Sequence, residues 1–325
     1  MDKVKTVVVP CKRWAGTSIT TPGFLLKGDK VSTNSKIEWT DATWNPVVGC
    51  SKCSPGCDNC YAEKMARRLK GIASKPTIAP PPAGIAKYKT IIGSNGGWNG
   101  KLNINDAEIT DPLCWRKARN VFVCSMGDLF HQNMNVLWID QIFAIMIRAQ
   151  KHTFRLLTKR PANMRAYMKR IIAYPELIKD AAFGIGGKDF SIEVNDLIHQ
   201  ESETATGWPP KNIWLGTTVC NQKEYDINMC ELICTQAHIR FLSIEPMLSA
   251  VNLTCTTSLD WVICGGETGP GARPVKYEWI ESLRDQCVNA NVSFFFKSWG
   301  NSYKLQRDRK IDGREWNQVP ASVAP

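Results

Sequence analysis

The chain has 325 residues, 43% of them hydrophobic, and a formal net charge of +11. That length suits one α/β-barrel-sized domain or two smaller ones, and no apolar run approaches the roughly 20 residues that span a bilayer, which argues against a membrane role. The basic surplus implies attraction to polyanions such as nucleic acid, yet a generally basic soluble enzyme has the same composition, and no helix-turn-helix, zinc-finger or RNA-recognition pattern is present.

Residues 1–35 are rich in Val, Thr, Lys and Gly, hold no sustained period and no apolar signal core, and read as an N-terminal extension to a main domain over 36–325. Spacing of Ile37, Trp39, Val47 and Val48 predicts a strand running into TWNPVVGCSKCSPGCDNCYA. There Cys50, Cys53, Cys57 and Cys60 stand within eleven positions. Disulfide frameworks belong to short secreted chains, and the nine other cysteines, such as Cys124, Cys264 and Cys287, are scattered as reduced thiols are in a cytosol. Crowding of this kind predicts a metal site. Zinc usually takes two cysteine pairs from separated knuckles, whereas three residues separate the pairs here. An iron–sulfur cubane is larger and accepts closely spaced thiolates from one loop. Cys53, Cys57 and Cys60 spell C-x3-C-x2-C, the spacing of radical S-adenosylmethionine (SAM) enzymes, with the aromatic Tyr61 next. Zinc in a non-catalytic nucleic-acid-binding protein is the competing reading.

Asp58 is placed to cap the helix YAEKMARRLKG, which Gly71 would end. Residues 72–118, with a proline triplet, NGG and isolated tryptophans, predict a long irregular connection with one short hairpin, either a lid or an ornament. A rhythm of short apolar runs follows: NVFVCSM, HTFRLLT, NIWLGTT, IRFLSIE, DWVICGG and VSFFFKS. Near-continuous Val, Ile, Leu and Phe predicts strands buried on both faces of a parallel sheet. Between them VLWIDQIFAIMIRAQ, PANMRAYMKRII with Pro161 in its first turn, EYDINMCELICTQA and EWIESLRDQCVNA carry helical spacing. Residues 171–210, containing GIGGKDF and a polar stretch, read as an insertion. With the strand before the cysteines, the pattern predicts an α/β fold, a partial or nearly closed parallel (β/α) barrel of about seven strands.

Polar residues just past the strand ends of such a barrel converge on one mouth. These are Ser125, Asp128 and His131 after the second strand, Thr158, Lys159 and Arg160 after the third, and Thr217 and Thr218 after the fourth. Glu245 closes the fifth, Gly265, Gly266 and Glu267 the sixth, Lys297 and Trp299 the seventh. Lys159 or Arg160 can pair with a carboxylate or phosphate, and Glu245 suits ribose hydroxyls or a substrate donor with Lys297 as its partner. GGETGPGARP lacks the P-loop lysine, but its glycines allow close backbone approach to adenine or phosphate.

IEWTDATWNPVVGC, SPGCDNCYAE, VFVCSMGDLFH, LTKRP, FLSIEPML, WVICGGETGPGARP and FFFKSWG, in this order, resemble a little-characterised family of phage and prokaryotic three-cysteine proteins assigned to the radical-SAM group. The resemblance implies a radical-SAM type of barrel, a [4Fe–4S] cluster on Cys50, Cys57 and Cys60, SAM at its open iron, and a flavodoxin- or ferredoxin-like electron donor in a cytoplasm. The family usually has an aliphatic residue at position 53, and this chain departs from it there, which makes Cys53 the rival first ligand. Asp128 is the expected acceptor for the SAM ammonium. Phage association and charge together point to a nucleic-acid base or nucleotide as substrate.

Overall fold

The computed structural model describes residues 35, 37–75, 83–202, 209–301 and 309–321. Seven strands carry the architecture: β1 (Ala42–Trp44), β2 (Asn120–Val123), β3 (Thr153–Thr158), β4 (Ile213–Val219), β5 (Ile239–Ile244), β6 (Trp261–Gly265) and β7 (Ser293–Ser298). Every neighbouring pair is parallel and the sheet order is the chain order, so the sheet curls into a half-barrel as the rhythm of apolar runs predicts. Among the described residues β1 and β7 do not pair. Instead the backbone of Trp316 and Gln318 bonds antiparallel to Phe296 and Phe294, at 2.8 and 3.1 Å, and covers the open edge of β7.

The principal helices are α1 (Tyr61–Ala73), α2 (Val136–Arg148), α3 (Pro161–Ala173), α4 (Glu176–Ser202), α5 (Gln222–Ile233) and α6 (Tyr277–Asn289). Asn135 and Asn221 cap α2 and α5 by accepting from Leu137 N and Glu224 N, and Pro161 opens α3 as expected. Strand pleating separates two cores. Val121, Val123, Val262, Cys264, Phe294 and Phe296 point to the helices and join the main core, while Phe122, Trp261, Ile263 and Phe295 point the other way. The second set, with Trp39, Trp214 and Phe241, fills the concave side. Each such buried side chain contributes about 1.5–3 kcal/mol, so the half-barrel has a rigid base beneath its mouth.

Several local expectations are corrected. Helix α1 passes Gly71 and ends at Ala73, and Cys60, not Asp58, stands at its N-cap with no side-chain cap bond. Residues 171–210, read as an insertion, contribute to the main core: α4, broken at Gly187 (φ 74°), sends Ile178, Ala182, Phe190, Val194 and Ile198 into it. Its apolar spacing is hidden because a left-handed break shifts the phase of the helical period midway. The connection 72–118 does hold a short hairpin, bridged at Ile92 and Trp98, and adds one-turn helices at Ala83–Ala86, Asp106–Ile109 and Asp111–Cys114. Its Tyr88, Ile91 and Ile92 pack beneath Ala62 and Ala66 of α1. The N-terminal extension, save its last residue, and the proline triplet lie outside the described residues. No helix among those described is long and apolar enough to cross a membrane.

Candidate functional site

The cysteine loop leaves β1 through Val47–Val48, which pairs antiparallel with Asn103–Ile104. At Gly49 the chain takes φ 111°, and a Cβ there would collide with the Lys101 carbonyl oxygen, so only glycine admits the turn. Gly49 also bridges to Gly127 beyond β2, which brings the loop over the strand ends. Ser54 then accepts from Gly56 N at 3.0 Å and opens a single 3₁₀ turn, Pro55–Cys57. Cys60 begins α1.

All four cysteines line one cavity of about 280 Å³, together with Ser125, Asp128, Lys159, Arg160, Glu245, Gly266, Glu267 and Lys297. Ile37, Trp39, Phe122 and Leu157 give it an apolar floor. Four expected residues do not line it: Trp299 is buried in the main core, His131 stands behind Ser51, and Thr217 and Gly265 stay within their strands. Thr217 is buried in the β3–β4 ladder, its hydroxyl donating to Thr158 O at 3.0 Å, and Thr218 faces the cavity in its place. Gly265 remains within β6, while Gly266 reaches the cavity and approaches the Trp299 carbonyl too closely for any side chain. A one-residue slip exchanges the face of a strand residue, which is why reading to the nearest residue fails here.

Two ion-paired clamps grip the loop. At its start, Arg160 donates to Ser51 O (2.8 Å), Ser51 Oγ (3.0 Å) and Cys50 Sγ (3.8 Å), and pairs with Asp128 at 2.9 Å. His131 Nε2 lies 2.8 Å from Ser51 Oγ. Asp128 is saturated: it also accepts from Thr158 Oγ1 (2.6 Å), Phe130 N (3.0 Å) and Lys159 N (3.2 Å). Its expected role as acceptor for a ligand ammonium gives way to holding Arg160, because no lone pair is left over. At the loop's other end, Glu267 and Arg273 of the glycine-rich segment pair at 2.5 Å, and Arg273 reaches Asp58 (3.2 Å) and Pro55 O (2.9 Å). Asn59 donates to Glu267 at 3.0 Å and to Gly271 O at 3.1 Å. Arg273 and Asn59 were not legible as site residues, although each is a polar residue inside a glycine- or cysteine-rich turn.

The electrostatics follow from these contacts. Burial would raise the Glu267 carboxyl, but hydrogen bonds from Arg273 and Asn59 outweigh it and hold the pKa at about 2. Burial, reinforced by Asp128, pushes the Cys50 thiol up to about 12. The hydrogen bond from Cys53 holds Cys57 down at about 6 and drives Cys53 itself upward. Burial works against the Lys297 ammonium, yet its partner Glu245 raises it, the ion pair anticipated from sequence. Lys159 lines the cavity and has no ion pair among the described residues.

Residues 34–320 match a family model described as a protein of unknown function, DUF5131. The chain belongs to the DUF5131 family. No curated protein and no solved structure matches it. Among the described residues of this DUF5131 chain, no three His, Cys, Asp or Glu side chains converge closely enough to hold one metal ion. The donor set nevertheless suits a larger group: four free thiols spread over one cavity wall, beside two cations able to offset thiolate charge.

Proposed function

We propose that this DUF5131 chain is a radical-SAM enzyme whose [4Fe–4S] cluster is held by Cys50, Cys57 and Cys60, with Cys53 as the rival first ligand. The observation that carries the reading is the meeting of four thiols and the strand-end polar groups in one cavity at the mouth of a parallel half-barrel. Cys50, Cys57 and Cys60 would hold the cluster, which would supply one electron, taken from a flavodoxin- or ferredoxin-like donor, for reductive cleavage of SAM and radical abstraction of hydrogen from substrate. The protein's own groups bind and exclude. Lys159, which lines the cavity and forms no ion pair among the described residues, suits the SAM carboxylate. The Glu245–Lys297 pair and Thr218 offer acceptors and donors for ribose hydroxyls, while Trp39, Phe122 and Leu157 keep water from the floor. Arg160 and Arg273 hold the loop so that its thiols stay at the cavity wall.

The test is anaerobic reconstitution with iron and sulfide, then dithionite and SAM, with 5′-deoxyadenosine measured in the wild type, Cys50→Ala and Cys53→Ala. Iron, sulfide and product are expected in the wild type, with loss in Cys50→Ala. Loss in Cys53→Ala alone would move the first ligand to Cys53. Bound zinc without iron would overturn the reading in favour of a non-catalytic nucleic-acid-binding protein.

A further inference from the structure

The positive charge is concentrated. Residues 50–101 hold nine Lys or Arg against two Asp or Glu, a surplus of seven out of the chain's net eleven. Both acids are already engaged, Asp58 by Arg273 at 3.2 Å and Glu63 by Lys52 and Arg67 at 3.7 Å each. The outer stripe of α1, at helical spacing, is Tyr61, Lys64, Met65, Arg68 and Ile72, all exposed. Lys64, Arg68 and the exposed Lys101, whose backbone runs beside Gly49, form no ion pair among the described residues. Two aromatic residues line the cavity here, Tyr61 from this stripe and Trp98 beside the flank of α1 that carries Glu63. Tyr61, 52% exposed, is tied through its hydroxyl to Ser125 O at 2.8 Å, and the part-exposed Trp98 through its backbone N to Glu63 at 3.0 Å.

We propose that the outer face of α1, with Lys101 and Trp98, is a track for single-stranded nucleic acid that leads one unstacked base into the cavity. Cations that no carboxylate among the described residues neutralises meet a phosphate backbone, and part-exposed aromatic rings beside them offer stacking faces. An acidic protein would satisfy the charge but would not call for rings at the cavity mouth. A cavity of about 280 Å³ admits no duplex, so a base has to leave the stack to approach it. Strand binding stands on charge and ring placement alone; only its role as substrate delivery rests on the radical-SAM reading.

The measurement is fluorescence anisotropy of the full chain with labelled mixed-sequence 15-mers, single-stranded and duplex, between 50 and 200 mM KCl. Single strands are expected to bind in preference to duplex, with a log–log salt slope of about −2, equivalent to roughly three phosphate contacts. Lys64→Glu with Arg68→Glu should weaken binding at least about tenfold and flatten that slope. Trp98→Leu should weaken it about tenfold with the slope kept, since stacking is insensitive to salt. Melting curves confirm that the exposed charge reversals stay folded. Absence of single-strand binding, binding indifferent to the charge reversal, or equal binding of duplex would overturn the proposal. So would capture of an acidic ferredoxin-type protein by this face in competition with the strand. Failure here leaves 5′-deoxyadenosine production untouched, and failure of cluster loading leaves strand binding untouched, so the two readings fall separately.

Discussion

Arg155 and Arg160 stand near opposite ends of β3 and are both nearly sealed from water, with 2% and 10% exposure. Arg155 faces the barrel base. Its guanidinium lies 4.9 and 4.8 Å from the Trp214 and Trp261 ring centres and donates to Trp39 O and to Asn120 Oδ1, at 3.1 Å for the latter. Among the described residues no carboxylate pairs with it, and burial lowers its pKa to about 10 against the weaker pull of Asp41. Arg160 faces the mouth, where burial would also lower it, but Asp128 prevails and raises it. The difference separates packing from positioning: the base spends an arginine on aromatic faces, whereas at the mouth the ion pair leaves further donors free to reach the cysteine loop.

Substitutions that keep volume and remove charge break the comparison open. Arg160→Met strands the buried Asp128 carboxylate and should cost about 4 kcal/mol in urea unfolding, with iron retained after reconstitution falling as well. Arg160→Lys should recover part of the stability but less of the iron, because a lysine cannot bond Ser51 and Asp128 together. Next in size is the second clamp. The Glu267 pKa of about 2 lies below its ordinary 4.5, so its contribution is present in full above pH 4.5 and is lost as pH falls towards 2. The urea midpoint of wild type should therefore drop more steeply from pH 6 to pH 3 than that of Glu267→Gln. A smaller effect is expected at the base: Arg155→Met should cost about 1 kcal/mol, since an apolar side chain of similar volume suits the aromatic cluster, and iron content should not change. Smallest is Lys159→Ala, within about 0.5 kcal/mol of wild type in stability because no partner is stranded. It sharpens the contrast if SAM affinity falls about tenfold while the fold is untouched.

Much of this was written locally in the chain. The run of apolar segments determined seven strands and their parallel order, because strands buried on both faces must be apolar at nearly every position and strands in sequence lie side by side. Four cysteines in eleven residues marked the loop that lines the cavity, and the Glu245–Lys297 pair was legible because a carboxylate at a strand end needs a cation from another strand of the same mouth. Asp128 was readable as a site residue but not as a saturated one, since three of its four donors, on Thr158, Lys159 and Arg160, come from a segment 30 or more positions away. Arg273 lies more than 200 positions from Asp58 and Pro55, and only the curl of the sheet brings its loop onto the cysteine turn. Periodicity and spacing report what a residue needs from its immediate neighbours; tertiary structure alone decides which distant group meets that need, because a hydrogen bond is set by distance in space and leaves no trace in the intervening sequence.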